Sequence, residues 1–427
     1  MSFFQHVRDN MQTQSDSTHT VAQGAASLSP MQMALQHRKG YYTFLVLMLV
    51  LLSALGSFVN DMYAPALPAM CRFFNCSVPV VQMGMMTGMA GLGLGQILFG
   101  AVSDRIGRRP VLLFSVSLFI VAAVVSVFSP TIKFFIVCRL FQGMGAAGGY
   151  FLARTIPADV YSGRQLAKLM ALVGAINGVA PASAPVIGGV TADAFGWKGV
   201  FVVLAAFALI LLALSGWMKE SLNTSSRTTG SWRNSVKGYA ALLRNRPFII
   251  HVCFKGLALG MLFAYISSSP FVLQTHYGLS QTVYGLVIGF NAIFVAAGSM
   301  IALKFKPLKK AAYVGALIML VGVAGEAMAL SLIHSIWVYE AGMVVILFGL
   351  GLIFTTSNTL AMNEGRARAG EASSILGVSG YIVGAIVSPL VGLGNVLHST
   401  ALVYIALALL VFLFATSSRR LAPDLNQ

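Results

Sequence analysis

Two residues could do chemistry that their surroundings make expensive. Asp61 is the one charge between Lys39 and Arg72, and Arg139 stands in the run Phe134-Phe135-Ile136-Val137-Cys138-Arg139-Leu140-Phe141. An ionisable side chain in an apolar membrane span costs about 2.5–3.5 kcal/mol on insertion scales, so it is a functional candidate by default. Asp61 can take up and release a proton. Arg139 stays charged at any biological pH and needs a carboxylate or several acceptors around it. Counted along their apolar runs, both residues fall in the outer half of the span, so an Asp61–Arg139 pair is expected, which would favour the ionised carboxylate. The competing readings are an interfacial Asp61 near a helix end and an Arg139 that snorkels outward.

Such residues need a frame, and the composition indicates which. Of 427 residues, 57% are apolar and 9% charged. Soluble domains are about 25% charged, so a soluble enzyme is excluded, and disorder is excluded except locally. The apolar runs are long and continuous rather than alternating, which argues against an outer-membrane barrel. Helices are predicted at 42–66, 79–102, 111–129, 131–153, 165–191 and 199–218. Six more are predicted at 248–273, 282–304, 311–331, 336–358, 371–393 and 398–416. The polar stretch 219–246 divides them six and six. Within it Trp232, Val236, Tyr239 and Leu243 recur at helical spacing, so it is read either as an amphipathic helix on the inner leaflet or as a solvated basic linker. Residues 1–40 read as a disordered cytoplasmic tail, with Met31 and Met33 as alternative starts, and 419–427 as a second tail.

Charge sets the orientation. With both ends inside, 23 of the 28 Lys and Arg fall on inner segments and three on outer ones, a strong positive-inside bias. This accounts for the net charge of +16 without nucleic acid.

Four segments then carry a resemblance. Gly100-Ala-Val-Ser-Asp104-Arg105-Ile-Gly107-Arg108-Arg109 lies between helices 2 and 3. Asp61-Met62-Tyr63-Ala64-Pro65-Ala66-Leu67-Pro68 closes helix 1. Arg139-Leu-Phe-Gln142-Gly143 lies in helix 4. Helix 5 contains Gly174, Asn177, Gly178, Pro181, Pro185, Gly188 and Gly189. Together they resemble the major facilitator superfamily, and within it the Bcr/CflA branch of twelve-helix drug:proton antiporters. Helix 5 departs from the antiporter pattern, with Ala180-Pro181 where Gly-Pro is expected and Pro185 where Gly is expected.

The resemblance implies an all-α membrane fold of two six-helix halves, 41–218 and 247–418, rocking around a central site. It implies proton coupling through Asp61 and Arg139, and substrate contacts from Asp61, Tyr63, Arg139, Gln142 and Asn177. It also implies an inner gate at Gly100, Asp104, Arg105, Gly107, Arg108 and Arg109. A hinge is expected at Gly174, Gly178, Pro181, Pro185, Gly188 and Gly189. The expected partners are a small-molecule substrate, protons and the lipid bilayer of the cell inner membrane, and the chain is expected to act as a monomer. No enzyme motif, metal cluster or nucleotide loop is present, so the proton gradient is the expected energy source and no cofactor is expected. The alternative on the same fold is a transporter of one metabolite, metal chelate or siderophore.

Four features remain open. Lys255 has no assigned role, Glu326 is a candidate second carboxylate, and Glu340 is expected at the interface. Cys71 and Cys76, five apart in the first outer loop, are read either as a disulfide or as two free thiols.

Overall fold

A computed structural model describes residues 29–37, 40–227 and 232–420, and among them there are helices and no strands. A short helix, α1 (Pro30–His37), precedes the first span. The first half contains α2 (Tyr41–Asp61), α3 (Leu67–Phe73), α4 (Val78–Ile106), α5 (Arg108–Val127), α6 (Ile132–Val160) and α7 (Gly163–Trp217). A connecting helix, α8 (Trp232–Arg244), leads to α9 (Arg246–Pro270), α10 (Gln281–Ala302), α11 (Leu308–Met328), α12 (Ile336–Glu364), α13 (Ala369–Leu390) and α14 (Val396–Arg420). Of the expected disordered tail, 1–28 lies outside the described residues. Pro30–His37 is instead helical, with Met31 buried and its N–H donating to Glu220 O at 3.0 Å.

Among the described residues, eleven stretches are long and apolar enough to cross a membrane. The twelve expected crossings are accommodated because α7, at 55 residues, is two spans in one. At 1.5 Å per residue it would be about 80 Å long if straight, far more than the roughly 30 Å of a bilayer core. It turns at Gly196, where φ is 69° and ψ −179°, a backbone that costs a residue with a Cβ and not glycine. Beside that turn Trp197 packs against Phe73, Phe74 and Phe135.

Each half has its own apolar core. The first is built around Leu52, Leu55, Leu92 and Phe119, and the second around Met319, Ile346, Leu350 and Tyr404. Outward-facing apolar side chains such as Phe114, Val121, Trp337 and Leu402 stay exposed, as a lipid-facing belt requires. In the 219–246 linker, α8 buries Leu242 against Phe248 and Val252, which ties the connector to the second half.

The first span is longer than the sequence indicates. Its α-helix ends at Asp61, passes through a 3-10 turn at Ala64–Ala66, and resumes in α3, so that the apolar stretch runs to Phe73. Pro65 and Pro68 cause the interruption, since neither supplies a backbone donor. Asp61 therefore lies about 18 Å along the chain from the end of the stretch at Phe73, and its side chain is buried against protein.

Candidate functional site

The break in helix 1 is where a buried cation is held. Arg139 is completely enclosed. Its Nη2 donates to Val59 O at 2.7 Å and to Asn60 Oδ1 at 3.0 Å, its Nε to Gly84 O at 3.3 Å, and its Nη1 to Gln142 Oε1. Its guanidinium carbon sits 4.2 Å from the centre of the Tyr63 ring. One side chain thus stitches α2, α4 and α6 together through neutral acceptors and a π face. Arginine suits this, because its rigid fork presents five donors. Tyr63 and Gln142 belong to the same cluster, and both leave a polar atom unpartnered, Tyr63 Oη and Gln142 Nε2. The side chain of Asn177 lies outside those described.

The expected Asp61–Arg139 ion pair is not formed. Ion pairs are formed instead by Arg108, with Asp104 and with Asp159. The reason is angular: consecutive helical residues point about 100° apart, so Asn60 takes the guanidinium and Asp61 faces elsewhere. Asp61 is 6% exposed and lies within electrostatic reach of Tyr284 and Tyr381, both in the second half. Next to it Gln274 Nε2 donates to Pro65 O at 2.9 Å across the boundary between the halves. Arg139 is no snorkelling residue either, since no part of it reaches a surface.

At the inner end, the loop between α4 and α5 is tied down by its own Asp104 and by two acids outside the motif, Asp159 and Glu220. Arg108 pairs with Asp104 at 2.5 Å and with Asp159 at 3.0 Å, and also donates to Ser103 Oγ at 2.7 Å. Glu220 accepts the backbone N–H groups of Arg108 at 2.8 Å and Arg109 at 3.1 Å. A carboxylate there satisfies two orphan donors and the positive end of the α5 dipole. Gly107 makes this fit: its φ is 110°, and a Cβ would lie 2.5 Å from Glu220 Oε2. Arg109 donates to Gly216 O at 2.8 Å. Gly100 faces Phe151 of α6, while the Asp104 side chain stays 47% exposed.

The helix-5 set splits in two. A Cβ on Gly188 would lie 1.8 Å from Met62 O, and one on Gly189 would lie 2.2 Å from Gln281 O of α10. Around Gly174 and Gly178 there is open space. The small residues therefore serve close packing near the outer end only. Pro181 and Pro185 lie within regular helix, and Gly196 is the one non-helical position inside α7. The outer ends of the halves also join through Gln82 Nε2 to Ser267 O at 3.0 Å and Thr282 Oγ1 to Asp193 Oδ2 at 2.6 Å. Cys71 and Cys76 are free thiols, and Cys71 Sγ–H donates to Cys76 O at 2.6 Å where the helix ends.

Comparison with known proteins decides the family. The family model described as Major Facilitator Superfamily matches residues 49–389. The chain belongs to the major facilitator superfamily. An uncharacterised MFS-type transporter of Bacillus subtilis, YdgK, is 33% identical over 82% of this chain and 89% of its own length. The Escherichia coli multidrug resistance protein MdtL is 27% identical over 85% and 93%. Among solved structures, a bacterial homologue of the human lysosomal transporter Spinster, inward-facing and unoccupied, superposes with a TM-score of 0.74 at 16% identity, covering 91% of this chain and all of that one. The E. coli xylose transporter XylE, partially occluded and inward open, gives 0.71 at 16% identity, covering 91% and 99%.

This member of the superfamily, a multi-pass membrane transporter and not an enzyme, also has polar residues to which the sequence assigned no partner. Lys255 is buried in α9 and donates to Asn358 Oδ1 at 2.8 Å, 5.4 Å from the Phe354 ring centre. Arg154 in α6 stacks on Tyr150 at 4.2 Å and donates to its hydroxyl. In the second half Asn291 Nδ2 donates both to Tyr265 Oη and to Glu340 Oε2 at 2.8 Å. Glu340, half-buried one turn into α12, is thus hydrogen-bonded within the bundle. Asn60, Asp159, Glu220 and Asn291 were missed because each matters through a partner far away in the chain, and no local pattern marks them.

Proposed function

We propose that this transporter is a proton-coupled exporter of hydrophobic or cationic small molecules in the cell inner membrane. It works by alternating access as a monomer and resembles the Bcr/CflA antiporters. The observation that carries this is Asp61: a buried carboxylate, free of Arg139, at the break in helix 1 where the halves touch. Asp61 Oδ takes a proton from the outer side and gives it up toward the inner side, and substrate competes for the ionised carboxylate. Arg139 acts on Asp61 through position, since it fixes Val59 O and Asn60 immediately before it. The likeness to MdtL supports export of drugs. The inner loop held by Arg108 and Glu220 governs a conformational step, and Tyr63 and Gln142 offer polar atoms to a substrate.

A second reading is a carrier of one acidic metabolite, chelate or siderophore. It draws on Lys255 and Arg154, two cations with neutral partners that an anionic substrate would match. Competition by a panel of unrelated drugs in proteoliposomes separates the two. Inhibition by many unrelated compounds supports the exporter, and inhibition by one acidic class alone overturns it.

A further inference from the structure

The second half contains two carboxylates that the proposed mechanism does not use. Glu326 in α11 is fully enclosed, and neither of its oxygens has a hydrogen-bond partner. It faces α12 at Gly342, where a Cβ would lie 2.9 Å from Oε2. Glu340 in α12 accepts from Asn291 through Oε2 and leaves Oε1 open, and Asn291 Oδ1 is open as well. The two carboxyl groups are within electrostatic range of each other, and neither is in an ion pair. Glu326 Oε1 and Oε2, Glu340 Oε1 and Asn291 Oδ1 are thus four buried acceptor oxygens with no hydrogen-bond partner. An ionised carboxylate in that setting is strongly penalised. Adding hydrogen relieves it, because a protonated carboxyl becomes a donor to its neighbours.

A series of titratable rings begins at exposed positions of the second half. His276 and His334 are exposed, with ring centres 5.6 Å apart. The His276 ring is 4.7 Å from that of Tyr277, which is 6.2 Å from that of Tyr339. The Tyr277 and Tyr339 hydroxyls are both unpartnered. The stretches Phe271–His276 and Ala329–Ile333 that carry this end are π-helical, a distortion common at functional sites. The other titratable groups around the carboxylates are Tyr265, held by Asn291, and Tyr404 and Tyr284, held by Ser268 and Ser269. Tyr284 lies within electrostatic reach of both Asp61 and Glu340.

We infer that Glu326 and Glu340 form a second proton-binding site, in the second half, loaded from the outer face through Tyr277 and Tyr339. The proton binds and leaves without any other bond changing. Its use in transport rests on the proton-coupled reading above, but its existence does not.

The test is infrared difference spectroscopy during a pH titration of the purified protein in lipid, for wild type, Asp61→Asn, Glu326→Gln and Glu340→Gln. Two groups of protonated-carboxyl bands are expected. One is lost in Asp61→Asn. The other is lost or shifted in Glu326→Gln and shifted in Glu340→Gln. Survival of the Asp61 band in the glutamate variants shows that they are folded. If Glu326→Gln does not fold, the shift in Glu340→Gln decides alone. Wild-type carboxyl bands unchanged by either glutamine substitution would overturn the site. Loss of the band on adding sodium chloride at fixed pH would overturn it in favour of a metal-cation site. Loss of the Asp61 band alone from the expected set would count against the coupling reading and leave this site standing.

Discussion

Each half buries a polar hub, a guanidinium in the first and a pair of acids in the second, and treats it differently. In the first, Arg139 is a permanent cation whose donors are met by Val59, Asn60, Gly84 and Gln142. In the second, Glu326 and Glu340 leave three carboxylate oxygens without partners. A guanidinium cannot lose its charge, so the fold must surround it with acceptors. A carboxyl can become neutral by binding a proton, so it tolerates a poorer environment. The first half thus uses its buried charge as a fixed structural hub, and the second keeps its acids adjustable. The inner loops differ in the same way. The α4–α5 loop is anchored by Glu220, Asp104 and Asp159, whereas Lys304-Phe-Lys306-Pro-Leu-Lys309-Lys310 between α10 and α11 lacks the corresponding Asp and Gly.

The sharpest way to break this contrast is to neutralise each hub. Arg139→Ala leaves four acceptors facing a void. It should abolish transport and cost about 3–5 kcal/mol, as expected for removing one member of a buried charged network. Arg139→Lys should keep part of the activity. Glu326→Gln should stay within about 1 kcal/mol of wild type, because it replaces a group already neutral on this account. Thermal unfolding in detergent compares the two, and equal destabilisation would erase the distinction.

Next in size is the seam between the halves. Gly188→Leu would drive a side chain into Met62 O, and efflux should fall to background. Gly174→Leu, where a Cβ meets open space, should transport at near wild-type rate. Cell-based efflux of one substrate by both variants measures this, and equal loss would restore the whole of helix 5 as a packed hinge.

The anchored inner loop should give smaller changes. If the loop controls a conformational step as proposed, Asp104→Asn should slow turnover with little change in substrate affinity. Glu220→Gln should lower stability by about 1 kcal/mol through a weakened cap at α5. Separate binding and transport assays check the first. A large affinity loss with unchanged turnover would assign the loop a binding role.

The smallest expected effect concerns Cys76. Burial pushes its thiol up to about 11, so less than about one thiol in a thousand is ionised at pH 7, and the thiolate is the reactive form. Maleimide labelling should be slow at neutral pH and rise about tenfold per pH unit toward 11. Absence of labelling until reductant is added would show a Cys71–Cys76 bridge after all.

What was legible in the sequence follows from contrast. A charge in an apolar run stands out, so Asp61 and Arg139 were found, and long apolar runs fixed the helices. Partners were not legible where contrast is absent. Asn60 is a neutral neighbour of Asp61, and only the helix rotation decides that it, and not the acid, meets Arg139. Tyr265, Tyr284, Tyr339 and Tyr404 look like ordinary core aromatics until the bundle gathers them around two acids. Glu340 sits four residues into α12, a position that reads as a helix end, yet Asn291 draws it inward. The turn at Gly196 was expected as a loop between two helices and is instead a single left-handed residue.

The central claim is that Asp61 couples transport to protons. The most direct measurement is uphill substrate movement in proteoliposomes with an imposed pH gradient, comparing wild type with Asp61→Asn at equal protein density. Wild type should accumulate substrate and lose that accumulation when the gradient is dissipated. Asp61→Asn should show only downhill equilibration, whatever the gradient. Gradient-driven accumulation by Asp61→Asn at the wild-type level would contradict it.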